Sequence, residues 1–282
     1  MKKILMIIVL SVFSISLVAC GSKEDSSSKV KVIDIQLTQE EYAFGVDKNN
    51  PELLEAVNSF IVDSKDDGTF DKVLNNYFAD GTAVAIESAE IDSSKEQLVV
   101  ATNAAFEPFE FKKGDKYYGI DMEFAQLIAD KLEVELAINN MDFDAVCLSV
   151  SEGKADIGMA GLTITEDRKE SVNFSEPYYN ASQKVVVLES NTAFNECKTK
   201  EDVEALLNEL DSESKIGVQI GTTGQFYVEG DDDWGFEGFN AECIGYKSGS
   251  LAVQDMINGN IDIVIIDEAP ADAVVEAMNS LN

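Results

Sequence analysis

A single arginine, Arg168, stands in residues 161–179, GLTITEDRKESVNFSEPYY, of a chain whose other cations are all lysines. A guanidinium offers five donors in a planar fork that grips a carboxylate or phosphate through two parallel hydrogen bonds, which a lysine ammonium cannot do. One arginine among lysines is therefore a candidate oxyanion clamp. The alternatives are a surface residue or one half of an ion pair with a nearby carboxylate. Thr163 and Thr165 alternate with apolar neighbours, which in an extended segment puts both hydroxyls on one side, ahead of a turn at Glu166-Asp167. Two hydroxyls and the guanidinium can then converge on one oxyanion. The chain has no histidine. That excludes Ser-His-Asp and Cys-His nucleophiles and histidine-ligated zinc, and with them most hydrolase chemistry.

The charge balance narrows the partners. Against 21 Lys+Arg stand 53 Asp+Glu, a formal net charge of -32, which argues against nucleic acid and against direct adhesion to anionic lipid. At 282 residues, 45% hydrophobic and 26% charged, the chain can bury the cores of two domains or one large one. Residues 1–20 carry Lys2-Lys3, an apolar run over residues 4–18 relieved by serines, and then Leu17-Val18-Ala19-Cys20. This is an export signal, too short for a membrane span. Leu-Val-Ala-Cys resembles the bacterial lipobox, so Cys20 is the expected lipid attachment point and the membrane a partner through that anchor. Residues 21–28, GSKEDSSS, form a polar tether.

Beyond the tether, strands alternate with helices. Strand is expected at 30–37 and an extended piece at 41–46, then two helices from Pro51 and Phe70, and an aperiodic linker at 79–97. A buried strand follows at 98–102, then a helix at 121–132, a short strand around Ile138, a helical stretch at 143–150 and a strand at 155–160 before the arginine segment. After a strand at 184–188 the pattern restarts, with strands at 215–219, 243–246 and 261–266 among helices at 201–210, 250–258 and 269–281. This is an α/β fold in two lobes with mostly parallel sheet. In such sheets ligands bind beyond the carboxyl ends of strands, which directs attention to the loops at Asn103, Gly161, Gly221 and Asp267.

The segments LVVATNAAFEPFEF, YYGIDMEFAQLIADKL, MDFDAV, GLTITEDRKESVNFSEPYY, IGVQIGTTG and IDIVIIDEAP, in this order and spacing, resemble the family 3 extracellular solute-binding proteins, the amino-acid receptors of ABC importers. The resemblance implies a two-lobed type II periplasmic-binding-protein fold that closes on its ligand as a hinge. It implies a monomeric receptor, not an enzyme, with no cofactor, that delivers an amino acid to an ABC permease. Family members end with a segment resembling residues 40–78, which here precedes the first family strand. The chain therefore reads as circularly permuted, with an internal duplication as the alternative. The expected organisation is lobe 1 at 40–182 including the linker, lobe 2 at 29–38 plus 187–282, and crossovers near 37–42 and 183–188.

Carried over residue by residue, the resemblance pairs Arg168 with the ligand α-carboxylate, helped by the Thr163 hydroxyl and backbone donors around Gly161, and gives the α-ammonium to Asp267. Phe106 and Phe143 sandwich the ligand side chain, core packing being the alternative. Thr222 and Thr223 match helix-start hydroxyls that favour a carboxylate, with plain N-capping as the alternative. Asn103 stands where several relatives carry an aspartate, and with Gln219 and Ile266 near the side-chain end a neutral ligand is expected. A dehydratase of the same fold, with Glu110 or Glu268 as proton donor, and a signalling sensor are the competing functions. Cys197 and Cys243 both fall in the second lobe, and a disulfide between them is left open.

Overall fold

The computed structural model describes residues 29–232 and 234–281; the export signal, Cys20 and the 21–28 tether lie outside the described residues. Two five-stranded sheets carry the two lobes. The first runs in the order Val172–Phe174, Gly45–Asp47, Ile157–Gly158, Gln97–Thr102, Glu135–Asn140, with Gln97–Thr102 parallel to both of its neighbours. Successive side chains of a strand face opposite ways. Accordingly Val100 packs with the helices Pro51–Asp67, Thr69–Phe78 and Ile120–Leu132, while Ala101 packs with Val146 and Val150 of the helix Val146–Ser151 on the other face. Pro51–Asp67 starts where Asn50 accepts from the Leu53 N–H (3.0 Å) with proline at the first helical position, and it stops at Gly68, whose φ of 82° no other residue adopts cheaply.

The second sheet runs Val30–Ile33, Gln183–Leu188, Ile263–Asp267, Lys215–Gln219, Glu242–Tyr246. Its three central strands are buried on both faces, as expected for a sheet between helix layers. Val185, Ile265 and Val218 pack toward Val203 and Leu207 of Lys200–Asn208, and Val186, Val264 and Ile266 toward Val253 and Met256 of Gly249–Ile257. The last helix, Glu268–Leu281, returns to the first strand, where the Asn279 amide donates to the Val30 carbonyl (2.8 Å) and accepts from the Val30 N–H (3.0 Å).

Several elements differ from the sequence reading. The strand expected over 30–37 ends at Ile33, because the Ile35 N–H turns back to the Ile33 carbonyl (2.7 Å) and breaks the ladder. Gln183–Leu188 is spent on the second sheet, so the chain crosses between lobes earlier, where Tyr179–Ala181 pairs antiparallel with Glu40–Tyr42. The 79–97 linker is held against the first lobe: Ile86 is buried and exchanges backbone bonds with Tyr117 (2.8 and 3.0 Å). Among the described residues, Cys147, Cys197 and Cys243 are free thiols, so Cys197 and Cys243 form no disulfide. No described helix is long and apolar enough to cross a membrane.

Candidate functional site

Where a turn was expected at Glu166-Asp167, the helix Glu166–Ser171 begins. The Thr165 hydroxyl caps it by accepting from the Arg168 N–H (3.1 Å), so it does not join Thr163 on an oxyanion. The cap sets Arg168 at the mouth between the lobes. Its Nη1 donates to the Thr163 carbonyl (2.7 Å) in the first lobe and its Nη2 to the Gly221 carbonyl (3.0 Å) in the second. Among the described residues, three of the fork's five N–H groups remain without a partner. The Phe143 ring lies under the guanidinium, 5.2 Å from ring centroid to its carbon, and so braces the arginine by a cation–π contact. Burial lowers the Arg168 pKa, while Cys147, Glu40 and Asp267 act in the opposite direction.

Glu40, on the crossover, was not singled out from the sequence and is the most heavily bonded group of the cleft. It is 4% exposed. Its Oε1 accepts from the Thr38 hydroxyl (2.5 Å) and Gln183 Nε2 (3.1 Å), and its Oε2 from the hydroxyls of Thr163 (2.8 Å) and Thr223 (2.6 Å). Thr163 belongs to the first lobe and Thr223 to the start of the helix Thr223–Glu229 in the second. One carboxylate thus gathers both lobes and both crossovers. The available signal was the alternation of Glu40 and Tyr42 inward with Glu41 outward.

Asp267 ends its strand with Oδ1 accepting the Tyr42 hydroxyl. Burial pushes its pKa up to about 7, the nearby Glu40 charge adds to the rise, and the Tyr42 bond opposes it. At the other end of the cleft Gln219 Nε2 donates to Asn103 Oδ1 (3.0 Å) from the opposite lobe, and Asn103 Nδ2 donates to the Met141 carbonyl (2.7 Å). Gln219 Oε1 is buried without a partner among the described residues. Thr222 donates its hydroxyl to the Gln219 carbonyl (2.8 Å) and so supports the loop; it makes no side-chain cap bond.

Gly161 has φ 54°, and a Cβ there would come within 2.9 Å of Phe106 Cε1. The ring therefore seats directly on the loop backbone. The Gly161 N–H is taken by Asp121 Oδ2 (2.9 Å), whose other oxygen accepts the Tyr178 hydroxyl (2.6 Å). Burial raises the Asp121 pKa to about 7. The lobes are closed on each other, since Gly221 lies so near Asp144 that a Cβ would fall 2.9 Å from the Asp144 Cβ, and Lys247 Nζ meets Asp142 Oδ2 at 2.8 Å. Arg168, Asn103, Gln219, Thr163, Thr223 and Asp267 are thus brought to one interface. The Thr222 hydroxyl is turned away into its loop.

Two α/β lobes on a paired crossover, closed over one guanidinium and a strand-end aspartate, define a type II periplasmic-binding-protein fold. Over residues 98–262 the chain matches the bacterial extracellular solute-binding proteins, family 3, and it belongs to that family. Among its relatives, the arginine-binding extracellular protein ArtP of Bacillus subtilis is 27% identical over 71% of this chain and 72% of its own length. A probable histidine-binding protein of Neisseria gonorrhoeae is 30% identical over 60% of this chain and 58% of its own. An ancestral arginine-binding protein bound to arginine superposes with a TM-score of 0.54 at 35% identity, covering 65% of this chain and 75% of that one, and an ancestral arginine-binding protein bound to glutamine superposes with the same TM-score and identity, covering 65% and 74%.

Proposed function

We propose that this chain captures a free α-amino acid outside the cytoplasm and delivers it to an ABC permease. The carrying observation is that one closed cleft brings a cationic fork with N–H groups to spare, Arg168, to an interface with a buried carboxylate, Asp267. A zwitterion requires one of each, and a water-poor cleft strengthens both charge-assisted bonds. Thr163 and Thr223 stand with Arg168 and Asp267 at the polar end of the cleft, and Asn103 and Gln219 frame the side-chain end, while Phe143 braces Arg168 and Phe106 packs on the Gly161 backbone. The unpartnered Gln219 Oε1 favours a side chain with N–H donors at its far end. The expectation of a neutral side chain rested on Asn103, and relatives named for arginine and histidine lend it no support. Of the two carboxylates a dehydratase could use, Glu268 is ion-paired to Lys184 (2.7 Å), and Glu110 is fully buried. The receptor is the reading the geometry supports. The anchor would be Cys20.

Thermal unfolding in the presence of each of the twenty amino acids tests it. A ligand at a hundredfold excess over its Kd stabilises by about 2.7 kcal/mol, which is a rise in Tm of roughly 5–10 °C for a chain of this size. L-arginine, L-histidine or L-glutamine is expected to give it. A screen in which no amino acid raises Tm overturns the proposal.

We also infer that the chain is circularly permuted. Residues 40–78 supply a strand and two helices to the first lobe, yet they precede the family match, which begins at residue 98. The Asn279 clasp on Val30 brings the two described ends together. A chain reordered as residues 94–282, a short linker, and residues 29–93, which keeps Ile86 and its bonds to Tyr117, is therefore expected to give the same circular dichroism and ligand affinity. A reordered chain that stays unfolded counts against the inference.

A further inference from the structure

The polarity of the hydroxyls around Glu40 bears on how a ligand is held. A hydroxyl has one proton and two lone pairs, whereas a carboxylate accepts only. Thr163 and Thr223 both place their oxygens against Glu40 Oε2, at 2.8 and 2.6 Å, so both protons point at Glu40. For Thr223 a second contact fixes the same direction, because its oxygen also accepts from Gln183 Nε2 at 3.1 Å. The Thr38 hydroxyl is oriented likewise, taking the Gln183 N–H (2.9 Å) and giving its proton to Glu40. With four donors on two oxygens, Glu40 has no remaining need, and each hydroxyl turned elsewhere would leave a buried carboxylate oxygen under-bonded.

We propose that Glu40 is a positioning residue that makes the Thr163 and Thr223 hydroxyls acceptors, so that they serve the ligand's α-ammonium beside Asp267 and leave the α-carboxylate to Arg168 and backbone N–H groups. This inference rests on the amino-acid receptor reading and reverses the role that the family resemblance gives the Thr163 hydroxyl. Charge agrees with it. Glu40 and Asp267 are both 4% exposed, and each adds to the other's surroundings a negative charge that an ammonium relieves. Arg168 is bonded to neutral carbonyls and keeps its charge for the carboxylate.

The test separates the two ends of the ligand. Titration calorimetry on the mature protein would compare L-arginine with 5-guanidinopentanoate, which lacks the ammonium but keeps the carboxylate and side chain. Glu40→Gln keeps the shape but places an amide donor among the hydroxyls, freeing their protons for the cleft. It is expected to weaken L-arginine roughly tenfold or more, the scale of a charge-assisted bond, and to leave 5-guanidinopentanoate unchanged or tighter. Thr163→Val, which keeps the Glu40 carboxylate and its three other donors, should show the same split. A merely structural role would lower both compounds alike, and that result in either variant overturns the proposal. If Thr163→Val weakens 5-guanidinopentanoate as much as L-arginine, the hydroxyl donates to the carboxylate and the proposal also falls. A wild-type protein that binds no amino acid overturns the receptor reading itself, and this one with it.

Discussion

Arg168→Ala is expected to abolish amino-acid binding. Truncating one partner of a desolvated, hydrogen-bonded charge pair costs about 2–5 kcal/mol, which is roughly 30-fold to several thousandfold in Kd. Two further losses add to it here. The Gly221 carbonyl forfeits its donor across the cleft, and the Phe143 ring loses the cation it braces. Arg168→Lys should recover little, since an ammonium cannot hold the Thr163 and Gly221 carbonyls and still present two parallel N–H groups to a carboxylate. Calorimetry on both variants checks this, and an Arg168→Ala affinity within a fewfold of wild type removes Arg168 from the site.

Affinity is expected to rise steeply with pH on the acid side of neutrality. Burial and the Glu40 charge raise the Asp267 pKa to about 7 in the free protein, so below that pH the carboxyl holds a proton. A ligand ammonium favours the ionised form. Binding below pH 7 must then expel the proton, and the association constant grows by up to about tenfold per pH unit from pH 5 toward 7 before it flattens. The folding term has the opposite sign. A carboxyl raised from 3.8 to about 7 in the folded state favours folding most below pH 4, and that contribution is lost as pH climbs to 7. The free protein should therefore lose stability over the interval in which its affinity improves. Calorimetry at pH 5, 6, 7 and 8 in buffers of different ionisation heat would count the released proton. A flat profile in the wild type, or an Asp267→Asn variant that keeps the slope, assigns the pH dependence elsewhere.

What could be read from the sequence was set by rarity. Arg168 is legible because it is the single arginine in the chain, and Asp267 because it closes a run of buried apolar residues. Glu40 is hidden for the converse reason: among 53 acidic residues its one mark is the inward alternation it shares with Tyr42, and three residues are too few to make that a pattern. Thr165 followed by Glu166-Asp167 fits a turn, but a hydroxyl ahead of two acidic residues is also a helix start, and the helix forms. The Phe143 contact with Arg168 depends on where two loops meet, which no local pattern encodes. The early crossing at 179–181 was missed because Gln183–Leu188 satisfies either reading until its partner strands are known.

The clasp between Asn279 and Val30 has a consequence for how the molecule assembles. The first sheet draws all its strands from residues 45–174, so it can be complete while much of the chain is still being made. The second cannot. Its edge strand, Val30–Ile33, leaves the ribosome before any other described strand, yet it pairs with Gln183–Leu188 and is fastened by a residue 249 positions away. Contacts of such sequence separation form slowly, because the chain between them must first be ordered. This strand, with lysine at its second position, therefore waits for its partner until Gln183–Leu188 has followed it out, and for its clasp until Asn279 has. The first described strand to emerge is among the last to be fastened.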